Sequence, residues 1–226
     1  MTFSVTGRCA RSGQLGVAIT TSSIAVGARC PWVRAGVGAV ATQNVTMPSI
    51  GPQVLDRIAG GADAQTALDS VIAAEDFPAY RQVAVVDHRG QTAIFSGQNA
   101  LGIHAEAMGN GVIAAGNLLA SPKVPQVIVD RFEKMEALAL PDRLLAALEA
   151  GLTDGGGEAG PVHSAALLVA DRTAWPLVDL RVDWADDCPI AALRCLWSAY
   201  EPQMNDYIAR ALDPSSAPSY GVPGDD

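Results

Sequence analysis

The order of the predicted elements limits the fold of this chain more than any other feature of its sequence. Runs with β-type composition come in pairs, and so do runs whose apolar residues recur three and four positions apart, as in amphipathic helices. The β-type runs cover residues 3–10, 15–21, 37–43, 82–87, 91–95, 112–115, 164–171 and 177–183. The helical runs cover residues 52–59, 63–74, 125–139, 141–152 and 190–212, the last interrupted at Pro202.

Hairpins followed by helix pairs do not match the strict strand–helix alternation of a parallel sheet. They predict an α+β fold in which two mainly antiparallel sheets are stacked between two helical layers, with strand 3–10 central in its sheet. A single domain is expected over residues 1–212, because the glycine-rich loop 154–160 is followed by more strands of the same kind. Residues 213–226, rich in Pro, Ser and Gly, are expected to form a flexible tail.

The charge of the chain excludes one class of partner. Its 226 residues include 15 Lys and Arg against 24 Asp and Glu, a net charge of −9 at pH 7, and no run of basic residues offsets this. Because such a surface repels phosphate backbones, nucleic acid is not expected as a partner. With 49% apolar residues, the chain can bury a full core unaided.

No segment is typical of a secretory signal or a membrane span. The N-terminus, MTFSVTGRCA, has neither a basic region nor a sustained apolar one, so we expect a cytoplasmic protein. The longest uncharged stretch, residues 35–55, contains Asn44, Pro48 and Pro52, which a hydrocarbon environment disfavours. Membrane association is therefore not predicted.

Most motifs that would carry chemistry are missing or lack their context. Residues 36–41 match GxGxxA, but a β-branched run follows instead of a helix, so no cofactor is predicted. The four Cys and three His lack the spacings of metal ligands, and no metal is predicted. The cysteines are expected to be buried small apolar residues, although catalysis by a Cys paired in space with a His stays open.

The start of the chain offers a different nucleophile. Thr2 follows the initiator Met and would become the first residue if Met1 were removed. Its hydroxyl and free α-amine would then share one residue, and an amine with a pKa of about 7.7 to 8.0 can accept the hydroxyl proton. Thr2 also begins the predicted central strand. Thr at position 2 is common, however, so the residue alone is weak evidence.

Six segments together resemble a known family. They are MTFSV, PWVRAGVGAVATQ (Pro31–Gln43), the GPxVL that follows, AGNLLA (Ala115–Ala120), SAALLV (Ser164–Val169) and DLRVD (Asp179–Asp183). In this order they resemble the bacterial "domain of unknown function 1028" family over residues 1 to about 200. That family is grouped with the N-terminal-nucleophile (Ntn) hydrolases, and the resemblance implies an αββα sandwich, whereas the family's activity is not established.

The resemblance also implies roles for four residues. Thr2 matches the position of the nucleophile, and Asn117 at a strand end is suited to donating a hydrogen bond to an oxyanion. Ser164 could orient the α-amine, and Arg34 could bind a substrate carboxylate near the rim of the same pocket. Many relatives have a Ser-Arg-aromatic stretch where this chain has residues 20–23, Thr-Thr-Ser-Ser, which indicates a different substrate wall.

Two functions remain open at this stage. The first is an Ntn-type amidohydrolase that cleaves a small amide or peptide-like substrate through Thr2, and we expect it to be a homo-oligomer. The second is a non-catalytic ligand-binding or assembly protein in which Thr2 is only the first residue of a strand. In that case Asn117 caps a turn, Ser164 bonds to backbone and Arg34 pairs with a surface acid.

Overall fold

The chain folds into two antiparallel sheets that face each other between helical layers. The computed structural model describes residues 1–222. Within them the strands are β1 (Thr2–Arg8), β2 (Leu15–Thr21), β3 (Pro31–Arg34), β4 (Gly38–Asn44), β5 (Arg81–Asp87), β6 (Thr92–Ser96), β7 (Ala105–Gly109), β8 (Val112–Asn117), β9 (Ser164–Ala170) and β10 (Val178–Val182). The α-helices are α1 (Ile50–Ala59), α2 (Ala64–Ile72), α3 (Val124–Lys134), α4 (Leu140–Thr153), α5 (Pro189–Tyr200) and α6 (Met204–Leu212).

Strand pairing confirms the predicted architecture. One sheet has six strands in the order β10-β9-β2-β1-β8-β7, and the other has four in the order β3-β4-β5-β6. All neighbouring strands are antiparallel. β1 lies between β2 and β8, so the strand that begins at Thr2 is central, as predicted.

Three apolar layers hold the sandwich together, because alternate residues of each strand point to opposite faces of its sheet. On the outer face of the six-stranded sheet, Phe3 packs with Phe132 of α3 and Leu144 of α4. Ile19 of β2 belongs to the layer between the two sheets. α1 and α2 cover the outer face of the four-stranded sheet, where Leu68 is fully buried. The result is a four-layer αββα sandwich.

The boundaries differ from the predicted ones in a few places. β3 and β7 were not predicted as strands, and the helix predicted over 125–139 ends at Lys134. A short turn, Glu201–Gln203, separates α5 from α6, which confirms the interruption at Pro202. Within residues 1–222, no helix is both long and apolar enough to cross a membrane.

Two of the cysteines depart from expectation, and the flexibility of the tail stays a prediction. Cys9 and Cys30 are buried as predicted, but Cys188 and Cys195 are exposed, because α5 buries Leu193 and Trp197 on its other face. The predicted flexible tail is described only to residue 222, and 223–226 lie outside the described residues. Its described part folds back on α6, where Arg210 donates to the backbone oxygen of Pro218 at 2.9 Å.

Candidate active site

Four side chains lie side by side at one end of the six-stranded sheet. Asn117 on β8 is the cross-strand partner of Thr2 on β1. Thr21 on β2 pairs with Thr2 on one side and with Ser164 of β9 on the other. Directly opposed residues point to the same face, and this face meets the four-stranded sheet, because Ile19, two residues before Thr21, lies in the layer between the sheets. We call Asn117, Thr2, Thr21 and Ser164 the four-residue row; it contains three of the four predicted site residues.

Within this row, the Thr2 hydroxyl lies against the peptide bond that joins Thr2 to Met1. Thr2 Oγ1 is 2.6 Å from the Met1 carbonyl oxygen and 3.2 Å from Thr21 Oγ1. Thr21 donates a hydrogen bond to the same carbonyl oxygen. While Met1 is attached, the Thr2 nitrogen belongs to an amide, so the base that an N-terminal nucleophile uses is not yet formed.

The Ser164 hydroxyl contacts the loop after β2 instead of Thr2. It donates to the Ser23 carbonyl oxygen at 2.6 Å and accepts from the Val26 N–H at 3.2 Å. Two strand spacings, roughly 10 Å, separate Ser164 from Thr2, too far for a hydrogen bond to the Thr2 nitrogen. The expectation that Ser164 orients the α-amine is therefore corrected: Ser164 positions the loop, and Thr21 is the hydroxyl beside Thr2.

Buried glutamine side chains hold the amide of Asn117. Asn117 Nδ2 donates to Gln82 Oε1 at 3.1 Å, and Gln43 Nε2 donates to the same oxygen at 2.8 Å. Ser4 Oγ donates to Gln43 Oε1 at 2.7 Å, so the network crosses the layer between the sheets. Asn117 Oδ1 is buried with no hydrogen-bond partner among the described residues. Among the described residues, the second N–H of the Asn117 amide is likewise without a hydrogen-bond acceptor, so both groups are available to a ligand.

Arg34 lies at the other end of the sandwich. Its partner on β4 is Gly38, five residues before Gln43, or roughly 17 Å along a strand. Its guanidinium forms a surface ion pair with Asp56 at 2.8 Å. The expectation that Arg34 lies near the rim of the Thr2 pocket is therefore wrong, because the β3–β4 hairpin directs it away.

Glu158 is a buried carboxylate that sequence reasoning did not select. Its side chain is 5% exposed, and neither carboxylate oxygen has a hydrogen-bond partner in the described part of the chain. Burial raises the pKa of the Glu158 carboxyl to about 8, although the positive charge of the Met1 ammonium and the donors of Ser22, which lie outside full hydrogen-bond geometry, act to lower this pKa. A shift of this kind near a candidate nucleophile is typical of functional sites.

Little in the sequence could have revealed these additional residues. Glu158 is the one charged residue between Gly155 and Gly160, a composition typical of a loop. Gln43 and Gln82 read as ordinary strand residues, and only the departure at 20–23 drew attention to Thr21. Across residues 1–222, no three His, Cys, Asp or Glu side chains are grouped as metal ligands would be.

Comparisons with known proteins match the chain to a family model and to solved structures. A family model described as "Family of unknown function (DUF1028)" matches residues 2–193. The crystal structure of protein SPO2555 from Silicibacter pomeroyi, of the same family model, is similar with a TM-score of 0.80 and 32% identity over 88% of each chain. Eukaryotic HslV from Trypanosoma brucei has a TM-score of 0.48 and 9% identity over 76% of this chain and 100% of its own. Anbu from Yersinia bercovieri has a TM-score of 0.42 and 11% identity, over 90% and 96% respectively. No curated protein matches the chain.

Proposed function

The chain belongs to the DUF1028 family of unknown function, and we propose that it is an amide hydrolase whose nucleophile is the Thr2 hydroxyl, freed by removal of Met1. One observation carries the proposal: the hydroxyl of the residue after the initiator Met is buried in a row of polar side chains, 2.6 Å from a carbonyl oxygen.

The chemistry follows from the free N-terminus. An α-amine with a pKa of about 7.7 to 8.0 is substantially neutral near pH 7.5 and can take the hydroxyl proton directly or through water. Thr2 Oγ1 then adds to the substrate carbonyl carbon, and negative charge develops on the carbonyl oxygen. The Thr21 hydroxyl and the second N–H of Asn117 are the donors available to that oxygen. The amine departs with the proton, and water hydrolyses the ester.

The alternative function has its own support. With Met1 in place, the Thr2 and Thr21 hydroxyls are both directed at the Met1 carbonyl oxygen, so the row could serve only to anchor the N-terminus. A non-catalytic binding or assembly protein would keep this arrangement. The homo-oligomeric state stays a prediction under either function.

Three variants test the proposal. Thr2→Ala removes the attacking oxygen, Thr2→Ser keeps the hydroxyl and the α-amine, and an uncleaved N-terminal extension converts the amine to an amide. We expect the rate of amide hydrolysis to fall on the order of 10³-fold or more for Thr2→Ala and for the extended chain, and only modestly for Thr2→Ser. Intact mass spectrometry verifies that Met1 is absent from both substituted proteins.

Covalent labelling with a β-lactone tests the same variants without a known substrate. A β-lactone opens by acyl transfer to an activated hydroxyl, so its mass should be added to the Met1-free protein and to Thr2→Ser. Thr2→Ala and the extended chain should remain unmodified, and Thr6→Ala, which removes another buried hydroxyl of β1, should react like the parent. Equal labelling of Thr2→Ala, or retention of Met1 in protein from its native host, would favour the binding function instead.

A further inference from the structure

A segment that sequence reasoning assigned only to a loop closes the end of the four-residue row. In residues 157–163, the Ala159 N–H donates to the Leu118 carbonyl oxygen at 2.9 Å, directly after β8. Further along, the His163 N–H donates to the Thr21 carbonyl oxygen at 2.8 Å. The segment therefore passes from β8 to β2 across the start of β1, which lies between them.

Met1 lies under this segment. A Cβ placed on Gly160 would be 3.4 Å from the terminal methyl carbon of Met1, so the Met1 side chain packs against the backbone there. Its carbonyl oxygen accepts a hydrogen bond from the Thr21 hydroxyl and lies 2.6 Å from Thr2 Oγ1. Its α-ammonium lowers the pKa of Glu158 electrostatically, although the two groups are not in ion-pair contact while Met1 is attached. The side chain of Met1 therefore lies at Gly160, its carbonyl oxygen at Thr2 and Thr21, and its ammonium on the side of Glu158.

Glu158 places a buried carboxyl group beside this arrangement. It is bridged through its backbone to Leu119, and its two carboxyl oxygens are buried. Within residues 1–222 neither oxygen has a partner in full hydrogen-bond geometry, although the donors of Ser22 lie near enough to lower its pKa. Because ionisation of a buried carboxyl is costly, this group stays protonated unless a cation beside it favours the carboxylate. Met1 provides one such cation in the uncleaved chain.

Met1 is itself an acyl group, attached to the nitrogen of Thr2. If the Thr2 hydroxyl attacked the Met1 carbonyl carbon, the resulting methionyl ester on Oγ1 would be the same species that a methionyl amide substrate forms with Thr2. The chain thus carries its own example of an acyl group in the site, one with a free α-ammonium.

We propose that Glu158 binds the free α-ammonium of the substrate's acyl group, so that the substrates are amides of α-amino acids with an unblocked amine. The hydrolysis of these amides rests on the proposed function of Thr2, whereas their binding to Glu158 does not. The Thr2 hydroxyl adds to the carbonyl carbon and its proton passes to the Thr2 α-amine. The C–N bond breaks as that proton moves to the leaving amine, and water then hydrolyses the ester to release the amino acid.

Binding to a protein that cannot react tests the assignment. The Thr2→Ala protein, with Met1 absent by intact mass, is titrated calorimetrically with L-methioninamide and with 4-(methylthio)butanamide, which lacks only the amine. We expect L-methioninamide to bind at least about tenfold more tightly, as for a charge-assisted contact. Adding Glu158→Gln should abolish this preference. Adding Glu136→Gln, which makes the same substitution in a pocket that Glu136 lines together with Arg8 at the far end of β1, should preserve it.

Several results would overturn the proposal. The first is equal or undetectable binding of both amides, and the second is a preference for L-methioninamide that survives Glu158→Gln. The third is an equal loss of affinity for both amides in Glu158→Gln, which indicates a structural role of Glu158 or a contact with the enzyme's own amine. If Glu158→Gln does not fold, Glu158→Asp replaces it and should keep a weaker preference. With Thr2 intact, L-methionine 4-nitroanilide reports hydrolysis. Selective binding without hydrolysis would contradict the proposed function and leave the role of Glu158 standing.

Discussion

Glu158 is the residue whose ionisation should most change the stability of this protein with pH. Burial raises the pKa of its carboxyl from 4.5 to about 8. Between these values the folded chain keeps a proton that the unfolded chain has lost, so the free energy of unfolding falls as pH rises through this window. Below this pH window the ionisation of Glu158 does not change the free energy of unfolding. Above the window the free energy of unfolding has fallen by its full amount, on the order of a few kcal/mol.

Glu158→Gln cannot ionise and should therefore lose less stability than the parent between about pH 5 and about pH 8.5. Urea unfolding of both proteins at the two pH values measures the difference, with Glu136→Gln as the control for net charge. Parallel pH dependence in the parent and Glu158→Gln would mean that the carboxyl titrates near its ordinary pKa.

At the scale of elements, α1 and β3 meet at a glycine that cannot be enlarged. A Cβ on Gly51 would lie 2.1 Å from Trp32 Cδ1. Gly→Ala inside a helix ordinarily stabilises by up to about 1 kcal/mol, but here the collision should destabilise the protein by about 1 to 3 kcal/mol. Denaturant unfolding measures the sign. In a Trp32→Leu background the same change should cost less, and a stabilised Gly51→Ala single variant would contradict the packing described.

The two strands that sequence reasoning missed are both edge strands. β3 has only four residues and begins with Pro31, and β7 (Ala105–Gly109) contains no β-branched residue, so neither gives a strong strand signal. Each forms because a strong neighbour, β4 or β8, offers an unpaired edge. β1, β2, β5 and β9 were predicted because burial on both faces leaves a dense apolar or β-branched signal.

For the whole molecule, the core is complete without the tail. Contacts of residues 213–222 with α6 are exposed, among them the Arg210 guanidinium 3.8 Å from the Tyr220 ring. A chain ending at Leu212 should therefore melt within about 2 °C of the full chain by calorimetry. A chain ending at residue 187 also loses α5 with Leu193 and Trp197, both buried, and should be strongly destabilised. A large drop for the first truncation would place the tail within the folded unit.

Local periodicity, which depends only on neighbouring residues, determined the sandwich and the placement of Thr2 at the start of a central strand. The pairing of Thr2 with Asn117 depends on the register of β1 against β8, which the structure supplies. Only the tertiary structure decided that Arg34 faces Asp56, that Thr21 rather than Ser164 stands beside Thr2, and that Glu158 is buried. These facts depend on which distant segments meet. The composition of a glycine-rich loop predicts that its carboxylate is exposed to solvent. Glu158 is buried because residues 157–163 cross the start of β1, and this crossing depends on the strand order, which a local sequence pattern does not determine.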